Sequence, residues 1–297
     1  MVGNRSRASG VGLERLCIAP SADWMRSTDV ENGVECLEAW FQGSAYHKHR
    51  HDTYAVCLTT SGVQAFDYRG AAEISTPGQV VVLHPDELHD GHAGTEAGFG
   101  YRILYVEPAL IFEAVQMLCG HACALPFVRR PVTMNAKLSA AIMSAFQATR
   151  EPLAIDSLIV QLAEGLIDAD PGCTRVARLR HLDVAALERA RQFLDAERTR
   201  VVRSAELEAV TGLTRYDLAR QFRVMCGTSP YRYLLMRCLD DAREQIARHQ
   251  PLVEVALDAG FADQAHFTRM FKAAFGLTPA RYAALRAYDE DASRALL

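Results

Sequence analysis

Leu218-Ala-Arg-Gln-Phe-Arg-Val-Met-Cys-Gly-Thr-Ser-Pro-Tyr-Arg-Tyr233 and Phe267-Thr-Arg-Met-Phe-Lys-Ala-Ala-Phe-Gly-Leu-Thr-Pro-Ala-Arg-Tyr282 align without a gap, 49 residues apart. Arg220, Phe222, Gly227, Pro230, Arg232 and Tyr233 recur as Arg269, Phe271, Gly276, Pro279, Arg281 and Tyr282. Arg223 recurs as Lys272, and Ser229 as Thr278. Six identities in register over 16 residues mark a duplicated structural unit.

The spacing gives each copy its mechanics. A short helix ends at Thr211-Gly212 in the first copy and at Ala259-Gly260 in the second, where glycine takes a left-handed cap at little cost. A second helix follows. Leu218 with Phe222, and Phe267 with Phe271, stand one turn apart and define its buried stripe. That stripe turns Arg215, Tyr216, Ala219, Arg220 and Arg223 outward in the first copy, and Gln264, Ala265, Thr268, Arg269 and Lys272 in the second. A helix, a tight glycine turn and a helix with a basic outer face make a helix-turn-helix. Ser229-Pro230 and Thr278-Pro279 fit the cap and first residue of a further helix, whose free N–H groups are suited to a phosphate. Between the copies, Leu235, Leu239, Ala242 and Ile246 mark a helix over 231–248. Its length of ~25 Å at ~1.5 Å per residue would set two recognition helices about one DNA turn apart.

Working outward, charge supports a polyanionic partner. The chain of 297 residues has a net charge of −4, but the imbalance is local. Residues 1–179 hold 14 Lys/Arg against 20 Asp/Glu, and 180–297 hold 18 against 16. Within the second part, 214–237 has five arginines and one Asp, and 263–286 has four basic residues and one Asp. Local fields decide attraction to phosphates.

Upstream, 36–106 predicts short strands. Tyr54–Thr60 and Val80–Leu83 are β-rich, and Ser61-Gly62, Arg69-Gly70 and Pro77-Gly78 punctuate them, as in a barrel or sandwich. From Pro108 the period turns helical, with Leu138, Ile142 and Phe146 on one segment and Ile155, Leu158, Leu162 and Leu166 on the next. These helices suit either a cover for the barrel or a dimer contact. The expected class is α+β: a cupin-like β-barrel with flanking helices, then an all-α domain with two helix-turn-helix motifs. The expected divisions are a tail over 1–12, a domain over 13–169 to which the family resemblance carried by 260–282 assigns effector binding and dimerisation, a linker over 170–182 and a DNA-binding domain over 183–297. Eight cysteines without a CxxC pair, no secretory leader and no apolar run of membrane-spanning length predict a cytoplasmic protein with reduced thiols.

Gly260-Phe-Ala-Asp-Gln-Ala-His-Phe-Thr-Arg-Met-Phe-Lys272, with Gly276-Leu-Thr-Pro279 and Tyr282, resembles the signature of the AraC/XylS family of bacterial transcriptional regulators. The resemblance is strong over 183–286 and weak over 36–106. It implies operator DNA as partner, a small-molecule effector in the barrel, frequent homodimerisation and contact with RNA polymerase. Carried over by position, base-edge contacts fall to Arg215, Tyr216 and Arg220, and to Gln264, Ala265 and Arg269. Arg is suited to guanine, Gln to adenine and Ala to a thymine methyl.

Six of the ten histidines, His47, His49, His51, His84, His89 and His92, cluster between 47 and 92. On one strand, 47, 49 and 51 would project to one side. The expected ligand-binding set is His47, His49, Tyr54, His89 and Tyr101, with Tyr68 and Arg102 as further polar tips. His-x-His on a barrel strand also resembles the metal site of cupins, which makes His47, His49 and His89 the candidates for a transition metal. The cupin pattern wants a Glu where this chain has Thr53 and Tyr54, which favours a metal-free pocket and no cofactor. A barrel serving only dimerisation and a metal-dependent cupin enzyme are the other readings of the same residues. No nucleophile–base arrangement supports an enzyme.

Overall fold

Val34-Glu-Cys-Leu-Glu-Ala-Trp-Phe41 alternates along the chain, with Leu37, Ala39 and Phe41 buried on one side, the period of a strand with one face on a core. The structure, a computed structural model, describes residues 23–27, 33–146, 152–174 and 182–294. The predicted tail 1–12 and most of the predicted linker (175–181) lie outside the described residues. The strands are β1 (Trp24–Ser27), β2 (Val34–Phe41), β3 (Ser44–His49), β4 (Tyr54–Gly62), β5 (Gln64–Tyr68), β6 (Ala71–Ser75), β7 (Val80–Leu83), β8 (His89–Ala93), β9 (Phe99–Val106) and β10 (Val132–Thr133). They form two antiparallel sheets, ordered β1-β2-β9-β4-β7-β10 and β3-β8-β5-β6.

Between the sheets lie Phe41, Ala55, Cys57, Phe66, Tyr68, Phe99 and Tyr101. Alternation along β4 sends Tyr54, Val56 and Leu58 to the opposite face. Three helices cover that face: α1 (Pro108–Cys119), α2 (Ala136–Ala145) and α3 (Pro152–Ala169). Asn135 caps α2 by accepting the Leu138 N–H at 3.0 Å. Leu138 and Ile142, and Ile155, Leu158, Leu162 and Leu166, are buried against Val56, Val80, Val82 and Leu104. The helical stripes read from sequence therefore cover their own sheet.

His84 fixes one corner of this domain. It accepts the Val128 N–H on Nε2 at 2.9 Å, so Nδ1 carries the ring proton and donates to Tyr68 Oη at 2.7 Å. Burial, and then Arg69, lower its pKa to about 4. A histidine with a depressed folded pKa contributes fully above the unfolded value of about 6.5, and that contribution is lost as pH falls toward 4. The loss amounts to about 3 kcal/mol. Denaturation of wild type and His84→Phe between pH 7 and 4 checks this: the variant has the flatter stability profile, and equal slopes contradict the assignment.

The second half is helical: α4 (Val184–Ala196), α5 (Ser204–Thr211), α6 (Arg215–Cys226), α7 (Pro230–Ala247), α8 (Leu252–Asp258), α9 (Gln264–Phe275) and α10 (Pro279–Arg294). Asp183 caps α4 through the Ala186 N–H at 2.9 Å. Leu187, Leu194, Leu218 and Phe222 form one core with Phe112 of α1. Leu239, Ile246, Phe267, Phe271, Tyr282 and Leu285 form another, continuous with the barrel interior. Each helix-turn-helix thus shares its core with the sheet domain.

Candidate nucleic-acid interface and interdomain cavity

The recognition helices are α6 and α9. Thr214 caps α6 through the Asp217 N–H at 3.2 Å, and Asp263 caps α9 through the His266 N–H at 2.6 Å. Leu218, Phe222, Phe267 and Phe271 are buried as the spacing requires. Arg215, Tyr216, Arg220, Arg223, Gln264, Ala265 and Arg269 are exposed, and Lys272 is half-buried. Tyr216 is 81% exposed, unusual for an aromatic side chain with no partner to cover it. Arg215 is held near Glu208 at 3.4 Å and Arg220 near Asp217 at 3.2 Å, both in exposed pairs that exchange readily.

The repeated glycines and arginines do something the sequence did not reveal. A Cβ at Gly227 would lie 2.7 Å from Pro85 Cβ, and one at Gly276 would lie 2.7 Å from His49 Nδ1. Both glycines hold positive φ, so each is a helix cap and a close approach to the barrel at once. Arg232 Nε sits 2.8 Å from Asp86 and bonds the Arg50 carbonyl, while Arg281 reaches Asp23 at 2.5 Å. The two copies present equivalent residues to one partner, the barrel. The His47 N–H donates to the Gly276 carbonyl at 2.9 Å, and the Arg50 N–H to the Ala273 carbonyl at 3.2 Å. Arg232 and Arg281, at the helix starts suggested for a phosphate, are thus turned toward acidic groups of the barrel.

Between the domains lies a cavity of about 60 Å³. Barrel residues Glu35, Tyr46, His49, His51, Asp52 and Tyr105 wall one side, and Met236, Arg237, Asp240, Arg243, Phe275 and Tyr282 the other. Arg237, 7% exposed, bonds Asp52 at 3.1 Å, Glu107 at 3.0 Å and Asp240 at 3.1 Å. Arg243 bonds Glu35 at 2.8 Å. Burial pushes the Asp52 carboxyl up to about 6 despite Arg237, and raises Glu35 despite Arg243. Burial also opposes the charge on Arg237, but Asp52, Asp240 and Glu107 hold its pKa well above the usual value.

Of the predicted ligand residues, only His49 lines this cavity. His89 stands behind it, its ring centroid 4.2 Å from that of His49. Tyr101 bonds Tyr46 at 2.6 Å within a packed aromatic cluster, so the barrel interior is filled where a pocket was expected. Tyr54 lies on the helix-covered face and donates to the Pro126 carbonyl at 2.7 Å. His47 is exposed: irregular pairing of β3 between Tyr46 and His49 breaks the alternation that would have set it beside His49. His51 takes its place. Arg102 pairs with Glu38 at 2.8 Å, away from the cavity. Sequence reasoning missed Glu35, Asp52, Arg237 and Arg243. A signal existed, since Arg237 and Arg243 sit among Met236, Leu239, Ala242 and Ile246 on a largely buried helix, and a charge there needs a buried partner.

A sheet domain that shares a small cavity with two capped helix-turn-helix units bearing a basic outer face defines an effector-sensing DNA-binding regulator. Residues 31–163 match the AraC-like ligand binding domain, and residues 207–284 match a helix-turn-helix domain. The chain belongs to the AraC family of transcriptional regulators. It is 26% identical over 279 residues to the HTH-type transcriptional activator RhaS of Escherichia fergusonii, covering 87% of this chain and 94% of that one. It is 23% identical over 236 residues to the HTH-type regulator YbfI of Bacillus subtilis, covering 77% and 85%. Its fold resembles that of apo ToxT of Vibrio cholerae, with a TM-score of 0.60 at 13% identity over 87% of this chain and 99% of that one. A ToxT structure bound to an unsaturated fatty acid matches with a TM-score of 0.58 at 12% identity, over 90% and 96%.

Proposed function

We propose that α6 and α9 read two successive major grooves through Arg215, Tyr216, Arg220 and Arg223, and through Gln264, Ala265, Arg269 and Lys272, while a small polar effector in the interdomain cavity sets how firmly the barrel holds them. One observation carries this: the same cavity is walled by the barrel and by α7, α9 and α10. Any occupant therefore alters contacts on both sides, and a ligand shifts an equilibrium only by such differential contacts. The volume of about 60 Å³, walled by four carboxylates and two arginines among apolar side chains such as Leu37, Met236 and Phe275, suits a compact molecule with a polar group. A homodimer and contact with RNA polymerase belong to the same proposal, on the strength of the family, as does a cytoplasmic site of action without catalysis. Among the described residues no helix is long and apolar enough to cross a membrane.

Fluorescence anisotropy with duplexes selected for binding tests the DNA contacts. Arg220→Ala and Arg269→Ala should each weaken binding by about 1–3 kcal/mol, and wild-type affinity should fall steeply from about 50 to 200 mM salt. Unchanged affinity in a folded double variant contradicts the assignment.

A further inference from the structure

His49, His51 and His89 come together from β3, the loop after it and the start of β8, and all three are buried. One ring nitrogen from each lies within 4.8 Å of the others. The Nδ1 atoms are already engaged, that of His49 with the His47 carbonyl at 2.8 Å, that of His51 with the Thr53 carbonyl at 2.9 Å, and that of His89 with the Glu87 carbonyl at 2.9 Å. A carbonyl only accepts, so each Nδ1 carries the proton and each Nε2 keeps its lone pair. Three rings held in the same tautomer by the carbonyl two residues away form the outer-shell arrangement that orients histidine ligands on a metal. His51 Nε2 is fully buried and has no hydrogen-bond partner, which costs free energy unless something coordinates it.

We propose that His49, His51 and His89 bind one divalent first-row transition-metal ion through their Nε2 atoms, on the barrel face that meets the second helix-turn-helix. Imidazole donors suit zinc, nickel, cobalt, copper and iron(II) over magnesium or calcium. Donors within 4.8 Å of one another lie no more than about 2.8 Å from a common centre. Reaching the zinc–nitrogen distance of about 2.0–2.1 Å therefore needs ring movements of less than about 1 Å. His49 and His51 also wall the interdomain cavity, so a coordination position opens there, beside the carboxylates of Glu35, Asp52, Glu107 and Asp240. The site differs from the sequence expectation in one ligand: His51 replaces His47, whose side chain is exposed.

The test titrates the full-length protein, stripped with chelator and dialysed, with zinc and cobalt(II), followed by elemental analysis, calorimetry and the visible cobalt spectrum. The expected result is one ion per chain, binding weakened at least about 10-fold in His51→Ala and in His89→Ala, and retained in His47→Ala. Absence of stoichiometric binding overturns the proposal, as does binding that the His51 and His89 substitutions leave unchanged. Should those variants fold poorly, X-ray absorption of the zinc-loaded wild type decides. Three imidazole nitrogens at about 2.0–2.1 Å support the site, and a shell of oxygen or sulfur alone overturns it. None of these readouts depends on DNA, so failure here leaves the DNA-binding proposal standing.

Discussion

Replacing Arg237 with Met should lower the unfolding free energy by about 3–5 kcal/mol. The Arg237 side chain is 8% exposed, and its guanidinium is the shared partner of Asp52, Glu107 and Asp240. Asp52 is itself 4% exposed, and burial has already raised its pKa. Without Arg237, that carboxylate must either stay charged in a poorly hydrated site or take up a proton, and both cost stability. Methionine keeps much of the bulk on α7, so packing loss contributes little. The comparison with Arg237→Met plus Asp52→Asn isolates the charge. The double variant should recover part of the loss, because no buried anion is left behind. Denaturant titration at neutral pH reads both, and a loss below about 1 kcal/mol in the single variant, the range of exposed pairs, would mean that the cluster does not hold the domains together.

The second large effect is expected at Gly276. Alanine there must hold φ near +71° and place a Cβ 2.7 Å from His49 Nδ1, 2.9 Å from the His47 carbonyl oxygen and 2.9 Å from Tyr46 Cβ. Two of those neighbours are a backbone atom and the root of a side chain, which cannot swing aside. Left-handed strain and steric overlap together should cost about 2–5 kcal/mol. They should also part the β3–α9 contact made by the His47 N–H and the Gly276 carbonyl. Gly260 is the internal control. Its φ is +80°, but nothing lies within 4 Å of a Cβ there, so Gly260→Ala should cost only the strain, about 1–2 kcal/mol. Equal losses in the two variants would remove the steric part of this account.

The contrast between these glycines shows how far the sequence reaches. The 49-residue repeat located both helix-turn-helix units, the caps at Ser229 and Thr278, and the buried pairs Leu218–Phe222 and Phe267–Phe271, while the caps at Thr214 and Asp263 came only from the structure. All of these are local: periodicity and capping act within a turn or two. Gly227, Gly276, Arg232 and Arg281 read from sequence only as matched positions of the repeat. Their second role, against Pro85, His49, Asp86 and Asp23, depends on how two domains meet, which no local spacing encodes. The barrel was legible as strands and turns, but the residues that line the interdomain cavity were not. Tyr54 and Tyr101 follow strict alternation to opposite faces of one sheet, and which face opens to a cavity is a tertiary fact. His47 left the cluster through irregular pairing of β3, which a two-residue period cannot anticipate.

In the proposed function, one chain reads DNA with two recognition helices. Selection of bound sequences from random duplexes, followed by footprinting with wild type, Arg220→Ala and Arg269→Ala, tests it most directly. The predicted result is a bipartite site with half-sites about 10 base pairs apart, in which each substitution relaxes the preference in a different half. Enrichment of no sequence, or relaxation of the same bases by both substitutions, would contradict it.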